Sequence, residues 1–133
     1  MSTPIVIDLG EVRLRGELMD NEAGRRLAES LPFSVDMGRW GEELYGPMEP
    51  SVGAIGDETM EVMDRGDLAY HDDTGWFCIF WGPTPSSHGN EIRAAFPVQK
   101  VGRANGDFDA VAALSPPVTV IVRAEDELVF GRQ

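Results

Sequence analysis

The chain has 133 residues, 42% of them hydrophobic, with 15 glycines and 9 prolines, a glycine and proline share above the usual level of about 12% that points to one turn-rich domain spanning residues 1–133. Its formal net charge of −12 repels phosphate backbones and anionic headgroups, so neither nucleic acid nor a membrane surface is expected as a partner. No apolar run approaches the roughly 20 residues that cross a bilayer, the start MSTPIVIDLG lacks the basic and apolar regions of a signal peptide, and the single cysteine, Cys78, forms no intrachain disulfide, which together set a cytoplasmic expectation.

Residues 5–9, IVIDL, form a short apolar run ended by Gly10, and EVRLRGEL at 11–18 alternates polar and apolar side chains. Period two with one wet face predicts an antiparallel hairpin over residues 4–18. The pattern then changes. Asp20 and Asn21 are good N-caps, Glu22 suits a helix start, and Ala23, Leu27 and Leu31 recur every fourth residue before Pro32. This predicts a helix over 21–31. Short strands follow at 33–37, 39–46, 58–63, 67–71, 76–81 and 97–103, with a loop at 49–58, a tight turn at 71–75 and a longer connection at 83–90. A second helix is expected at 107–114, capped by Asp107 and stopped by Pro116-Pro117, and the β-branched run at 117–124 reads as a last strand. The tail EDELVFGRQ either adds a short edge strand or frays. About eight strands with two short helices imply a mainly β fold, a small closed barrel or a sandwich with helices at its ends.

Four runs in one order narrow this choice: RWGEELYG at 39–46, RGDLAY at 65–70, CIFWGPTP at 78–85 and EIRAAFPVQKVGR at 91–103. Together they resemble the small bacterial and archaeal proteins with a cyclophilin-like barrel. Those proteins show a Trp-Gly-Asp/Glu-Glu-Ile-Tyr run, then Gly-Asp-x-x-Tyr, Phe-Phe-Gly-x-Thr-Pro and Pro-Val-Asn-Val-Val-Gly. The likeness covers residues 5 to 122. It implies a closed eight-stranded cyclophilin-like β-barrel flanked by two short helices. The chain departs from that pattern at His71-Asp72-Asp73-Thr74, where the family has Trp-Pro-Pro-Gly, and at Trp81 and Gln99. The Phe-His-Arg-Val-Ile strand and Ser-Met-Ala-Asn loop that serve prolyl isomerisation in catalytic cyclophilins do not occur in it.

Candidate chemistry concentrates around these motifs. Arg39, Trp40, Glu43 and Tyr45 on one strand would build a polar-edged wall, and Phe80 and Trp81 would add aromatic surface of the kind small ligands and peptides use. In FCIFWGPTPSS, residues 77–87, a buried strand ends at Gly82, and the prolines restrict its exit. Thr84, Pro85 and Ser86 would form the lip of a pocket, and Arg93 would anchor a carboxylate. Cys78 lies among aromatic residues and reads as a packed core thiol. Ser86, Ser87 and His88 read as a surface loop, and His71-Asp72-Asp73 as a solvated turn, so no catalytic residue, metal or cofactor is assigned.

The leading expectation is a binding domain for a small polar molecule or short peptide. Two alternatives are a prolyl isomerase with a non-standard site and, by fold analogy, an interaction module of an amide-hydrolysing assembly.

Overall fold

The computed structural model describes residues 2–125. Nine strands and two helices follow in chain order: β1 (Thr3–Leu9), β2 (Val12–Leu18), α1 (Glu22–Glu29), β3 (Phe33–Arg39), β4 (Glu43–Glu49), β5 (Met60–Met63), β6 (Asp67–His71), β7 (Trp76–Phe80), β8 (Ile92–Asn105), α2 (Phe108–Ala112) and β9 (Val118–Ala124). Eight of them form a ring in the order β2-β1-β9-β3-β4-β7-β6-β8, closed by antiparallel pairing of β8 with β2. The ninth, β5, pairs with β8 alone. Among the described residues no helix is long and apolar enough to cross a membrane.

Alternation along each strand fills the barrel. Ile5, Ile7 and Leu9 of β1, Leu14 and Leu18 of β2, and Val118, Val120 and Val122 of β9 all enter one core cluster. Phe33 and Phe77 meet edge to face at 5.3 Å in the same core, a geometry that aligns the positive ring edge with a negative ring face. Because β2 and β8 are antiparallel, the helices that follow them cover opposite ends. Helix α1 contributes Ala23 and Leu27 to the core, and α2 contributes Phe108 and Val111. Asn21 caps α1 by accepting from the Gly24 N–H at 2.7 Å and ties it to β8 by donating to the Lys100 carbonyl at 3.0 Å. Asp107 caps α2 by accepting from the Ala110 N–H at 3.1 Å. Both helices are shorter than their apolar spacing suggested, ending at Glu29 and Ala112.

The connection between β4 and β5 is packed. The Tyr70 hydroxyl donates to the Gly53 carbonyl at 2.6 Å, and the Asp72 carboxylate accepts from the Ile55 and Gly56 N–H groups at 2.8 Å each. The turn that replaces the family's proline pair therefore spends its first acid on holding this loop.

Two strands depart furthest from the sequence expectation; those expected at 33–37, 58–63, 76–81 and 117–124 differ by one or two residues at one end, running Phe33–Arg39, Met60–Met63, Trp76–Phe80 and Val118–Ala124. The run at 39–46 is not one strand. Arg39 ends β3, Gly41 turns the chain at φ +63°, and Glu43 begins β4, with Arg39 opposite Leu44. Strand β8 is twice the expected length, 14 residues, because its first half gains β5 as a partner. Strand propensity is decided by such neighbours, and Ala94, Ala95 and Pro97 carry little of it alone. The expectation for the tail after Glu125 lies outside the described residues.

Ring closure depends on two missing side chains. A Cβ on Gly16 would lie 2.3 Å from the Arg103 carbonyl oxygen, and one on Gly102 would lie 2.2 Å from that of Glu17. Both contacts are with backbone, which has no rotamer to yield. Gly102→Val is therefore expected to lower unfolding free energy by more than about 2 kcal/mol in chemical denaturation, while Ile121→Thr on the exposed face of β9 should change it by about 0.5 kcal/mol or less.

Candidate functional site

β7 is buried on both faces. Phe77 and Ile79 point into the barrel core, while Cys78 and Phe80 belong to a second apolar cluster on the outer face. That cluster exists because the first half of β8, carrying Ala94, Phe96 and Val98, and β5, carrying Met63, lie over the outside of the sheet. The cover is incomplete, and a cavity of about 270 Å³ remains between it and the barrel wall. Strand β4 lines it with Glu43 and Tyr45, β7 with Trp76, Cys78 and Phe80, and β8 with Ala94 to Phe96 and Val98. Trp40, from the β3–β4 turn, completes the rim. The register explains the grouping, since Glu43 pairs with Phe80 and Tyr45 with Cys78 across β4 and β7. Tyr45 and Trp76 sit 5.0 Å apart at 39°, and Trp76 and Phe96 6.3 Å apart at 46°. Successive tilts of that size wrap the rings around the space.

Among the described residues Glu43 is the one carboxyl in this lining. It is 6% exposed. Burial pushes its pKa up from 4.5 to about 8, and the Cys78 thiol, hydrogen-bonded to it, offsets only part of that rise. Desolvation acts this way because a carboxylate loses more hydration than a carboxylic acid. Burial, and then the neighbouring Glu43, hold the Cys78 thiol well above its ordinary range, so the cysteine is a packed, protonated donor rather than a nucleophile.

The folded carboxyl keeps its proton to about pH 8, the unfolded one only to about 4.5. Between those values unfolding releases a proton, so this group's contribution to stability falls as pH rises through the window and levels off above it. Glu43→Gln removes the titration. Its stability relative to the parent protein should rise between pH 4.5 and pH 9 by about 3–5 kcal/mol, read from denaturant midpoints across pH.

Of the residues singled out in the sequence, Trp40, Glu43, Tyr45 and Phe80 line this cavity. Arg39, Trp81, Thr84, Pro85, Ser86 and Arg93 do not. Trp81 faces the opposite way from Phe80, as strand alternation requires. It enters the barrel core, stacks on Phe108 at 6.4 Å and donates its Nε1–H to Glu42 at 2.9 Å. The Arg39 guanidinium lies 5.5 Å over the Trp81 ring and donates to the Gly41 and Ala112 carbonyls and to Glu42. It thus fastens α2 to the β3–β4 turn. Arg93 spends its donors on Glu91, at 2.6 Å and 3.3 Å, and on Glu61 at 3.5 Å.

The 83–87 loop braces the site from behind. The Thr84 hydroxyl donates to the Arg93 carbonyl, and Ser87 Oγ accepts from the Thr84 and Arg93 N–H groups at 2.9 Å and 3.1 Å. At its other end the Pro83 carbonyl accepts from the Glu42 N–H at 3.0 Å. The loop joins the start of β8 to the turn that carries Trp40, and Ser86 and Pro85 lie on that brace.

Sequence reasoning passed over Trp76, Ala94, Ala95, Phe96 and Val98, and read Cys78 as core. The signal for Trp76 was present, since Trp76, Cys78 and Phe80 share one face at period two. The β8 residues had no local signal, because what places them is the fold-back of a strand over a distant sheet.

The family model described as cyclophilin-like matches residues 3–123. Among solved structures, the chain is similar to the hypothetical protein AF2241 from Archaeoglobus fulgidus, at 27% sequence identity and a TM-score of 0.71, over 92% of this chain and 95% of that one. A search of curated proteins gives no match. A ring of eight strands with a helix at each end, and a family match running over almost the whole described chain, place this protein in the cyclophilin-like family.

Proposed function

We propose that this cyclophilin-like domain binds a small molecule, or one side chain of a short peptide, in the cavity on the outer face of β4 and β7. The observation that supports it most is a buried carboxyl opening onto an aromatic-walled space. Folding gains nothing from an uncompensated acid at such a position, since burial without a charged partner costs stability. Ligand sites commonly combine an apolar lining with one or two placed polar groups, in volumes from about 300 Å³ upward; at about 270 Å³ this cavity suits a compact ligand.

A screen of compact, largely apolar ligands carrying one polar group, followed by thermal shift, tests the reading. A ligand at 100 times its dissociation constant should add about 2.7 kcal/mol of stability. Ala94 is buried in the apolar cluster and lines the cavity, so Ala94→Phe should fill the space and block binding, at a stability cost of about 1–3 kcal/mol. Unchanged binding to that variant would place the ligand elsewhere.

The same geometry argues against prolyl isomerisation. That reaction calls for a fixed donor near the twisting imide, and both arginines considered for the role are engaged by Glu42, Glu61, Glu91 and backbone carbonyls. In a protease-coupled assay on Xaa-Pro peptides, the rate should stay at background at every concentration of this protein. A rate that rises with the protein and survives Arg39→Ala and Arg93→Ala would point to a different donor in the cavity.

A further inference from the structure

Among the described residues, the cavity lining holds one acid and five aromatic residues and no basic side chain. Three observations bear on what would fill it. Glu43 is more than nine-tenths buried and lines the space, yet its only side-chain partner among the described residues is the Cys78 thiol. Arg39, at the end of β3 beside β4, and Arg93, on the first half of β8, are held by other acids. The rings of Trp40, Tyr45, Trp76, Phe80 and Phe96 bound the same space, and aromatic faces attract cations through their quadrupoles, most strongly where water is excluded.

From this arrangement we infer that the ligand is a compact organic cation, an ammonium group with alkyl substituents, seated between the aromatic walls with its charge against Glu43. The inference rests on the binding reading above and specifies its ligand class. An alkylammonium suits both parts of the site at once: its alkyl surface is apolar enough for the lining, and its charge supplies what the buried carboxyl lacks. An anionic ligand would find no cation in the described lining and would hold Glu43 in its protonated form. The chain's net charge of −12 also raises the local concentration of cations around the molecule.

Such a ligand couples to a proton. The unliganded Glu43 carboxyl is protonated below about pH 8, and a cation favours the ionised form, so binding expels the proton. Affinity must then rise with pH until Glu43 is ionised without help. The other titratable groups facing Glu43 are the Cys78 thiol on β7 and the Tyr45 hydroxyl on its own strand; β8 and the Trp40 turn bring none to the lining. His71 stacks on Phe96 at 3.8 Å, outside the lining. A neutral ligand that accepts a hydrogen bond from the protonated carboxyl would show the reverse dependence and weaken as pH rises.

The test uses the full chain, with choline as the cationic probe and its uncharged analogue, in which carbon replaces the quaternary nitrogen, as the control. Binding is followed by tryptophan fluorescence, since Trp40 and Trp76 line the site. Choline does not titrate, so any pH dependence belongs to the protein. Expected are tighter binding of choline than of the analogue, a rise in choline affinity of about tenfold from pH 7 to pH 9, and, in Glu43→Gln, loss of the pH dependence with a smaller preference for choline. Equal, pH-independent binding of the two probes would overturn the cation inference and leave the cavity reading standing. Tighter binding of the analogue at low pH would assign the site to neutral acceptors and also overturn it. Saturable binding of neither probe would count against both readings. The comparison of the two probes on the parent protein decides the matter even if Glu43→Gln fails to fold.

Discussion

Strand β8 carries the constraint on which the rest depends, because its two halves do different things with one continuous backbone. Its second half closes the barrel, pairing with β6 on one side and β2 on the other. The approach to β2 is possible only because Gly16 and Gly102 put no side chain in the seam. Its first half runs past the end of β6, takes β5 as a partner and covers the outer face of β4 and β7. A register shift between Leu68 and Ala69 lies beside the change from one role to the other. Bulges of this kind bend a strand and increase its twist, which is what a strand needs in order to leave the barrel wall and fold over it.

The chemistry of the site follows from that cover. A barrel wall with one wet face would leave Glu43 in water and its carboxyl ordinary. With β8 and β5 overhead, the same side chain is desolvated, shares a proton network with Cys78 and sits among rings. The cover also gives Cys78 and Phe80 a second core to pack in, so part of the cost of burying an acid is offset by apolar area removed from water around it, at roughly 25 cal/mol per Å². Fold and site are thus not separable modules here. The layer that stabilises the outer face is the layer that makes the carboxyl unusual.

Elsewhere the molecule neutralises charge locally. Arg39 and Arg93 are each fixed by nearby acids, and Asp67, almost fully buried, is met by Lys100 at 3.1 Å and Arg103 at 3.5 Å. Glu43 differs from Asp67 in having burial without a counter-charge. Membership of the cyclophilin-like family sets the barrel and leaves this difference undetermined, since a shared fold carries different sites on the same strands. The residues that distinguish this chain's site lie on the outer wall, and none of them reproduces the arginine-bearing strand of catalytic cyclophilins.

Much of the fold was legible in the linear chain. Alternation at 11–18 marked β2, the Asn21 cap and the Ala23–Leu27 spacing marked α1, residues 67–71 are a strand as their composition suggested, and the strand expected at 76–81 ends one residue earlier, at Phe80. These are local signals, set by periods of two and 3.6 residues and by cap chemistry between near neighbours. The order of four short motifs narrowed the barrel to one family. Part of the candidate site was legible for the same reason, because Trp40, Glu43 and Tyr45 lie within six residues of one another. Only the tertiary structure decided that Phe80 and Trp81 serve different layers, that Arg39 and Arg93 are spent as braces, and that Ala94, Phe96 and Val98 face a strand some 20 residues earlier in the chain. Periodicity reports that a strand has two faces, but whether the outer one meets water or another layer depends on long-range pairing, here that of β5 with β8. That pairing, by removing water from one carboxyl, determines the ionisation of Glu43.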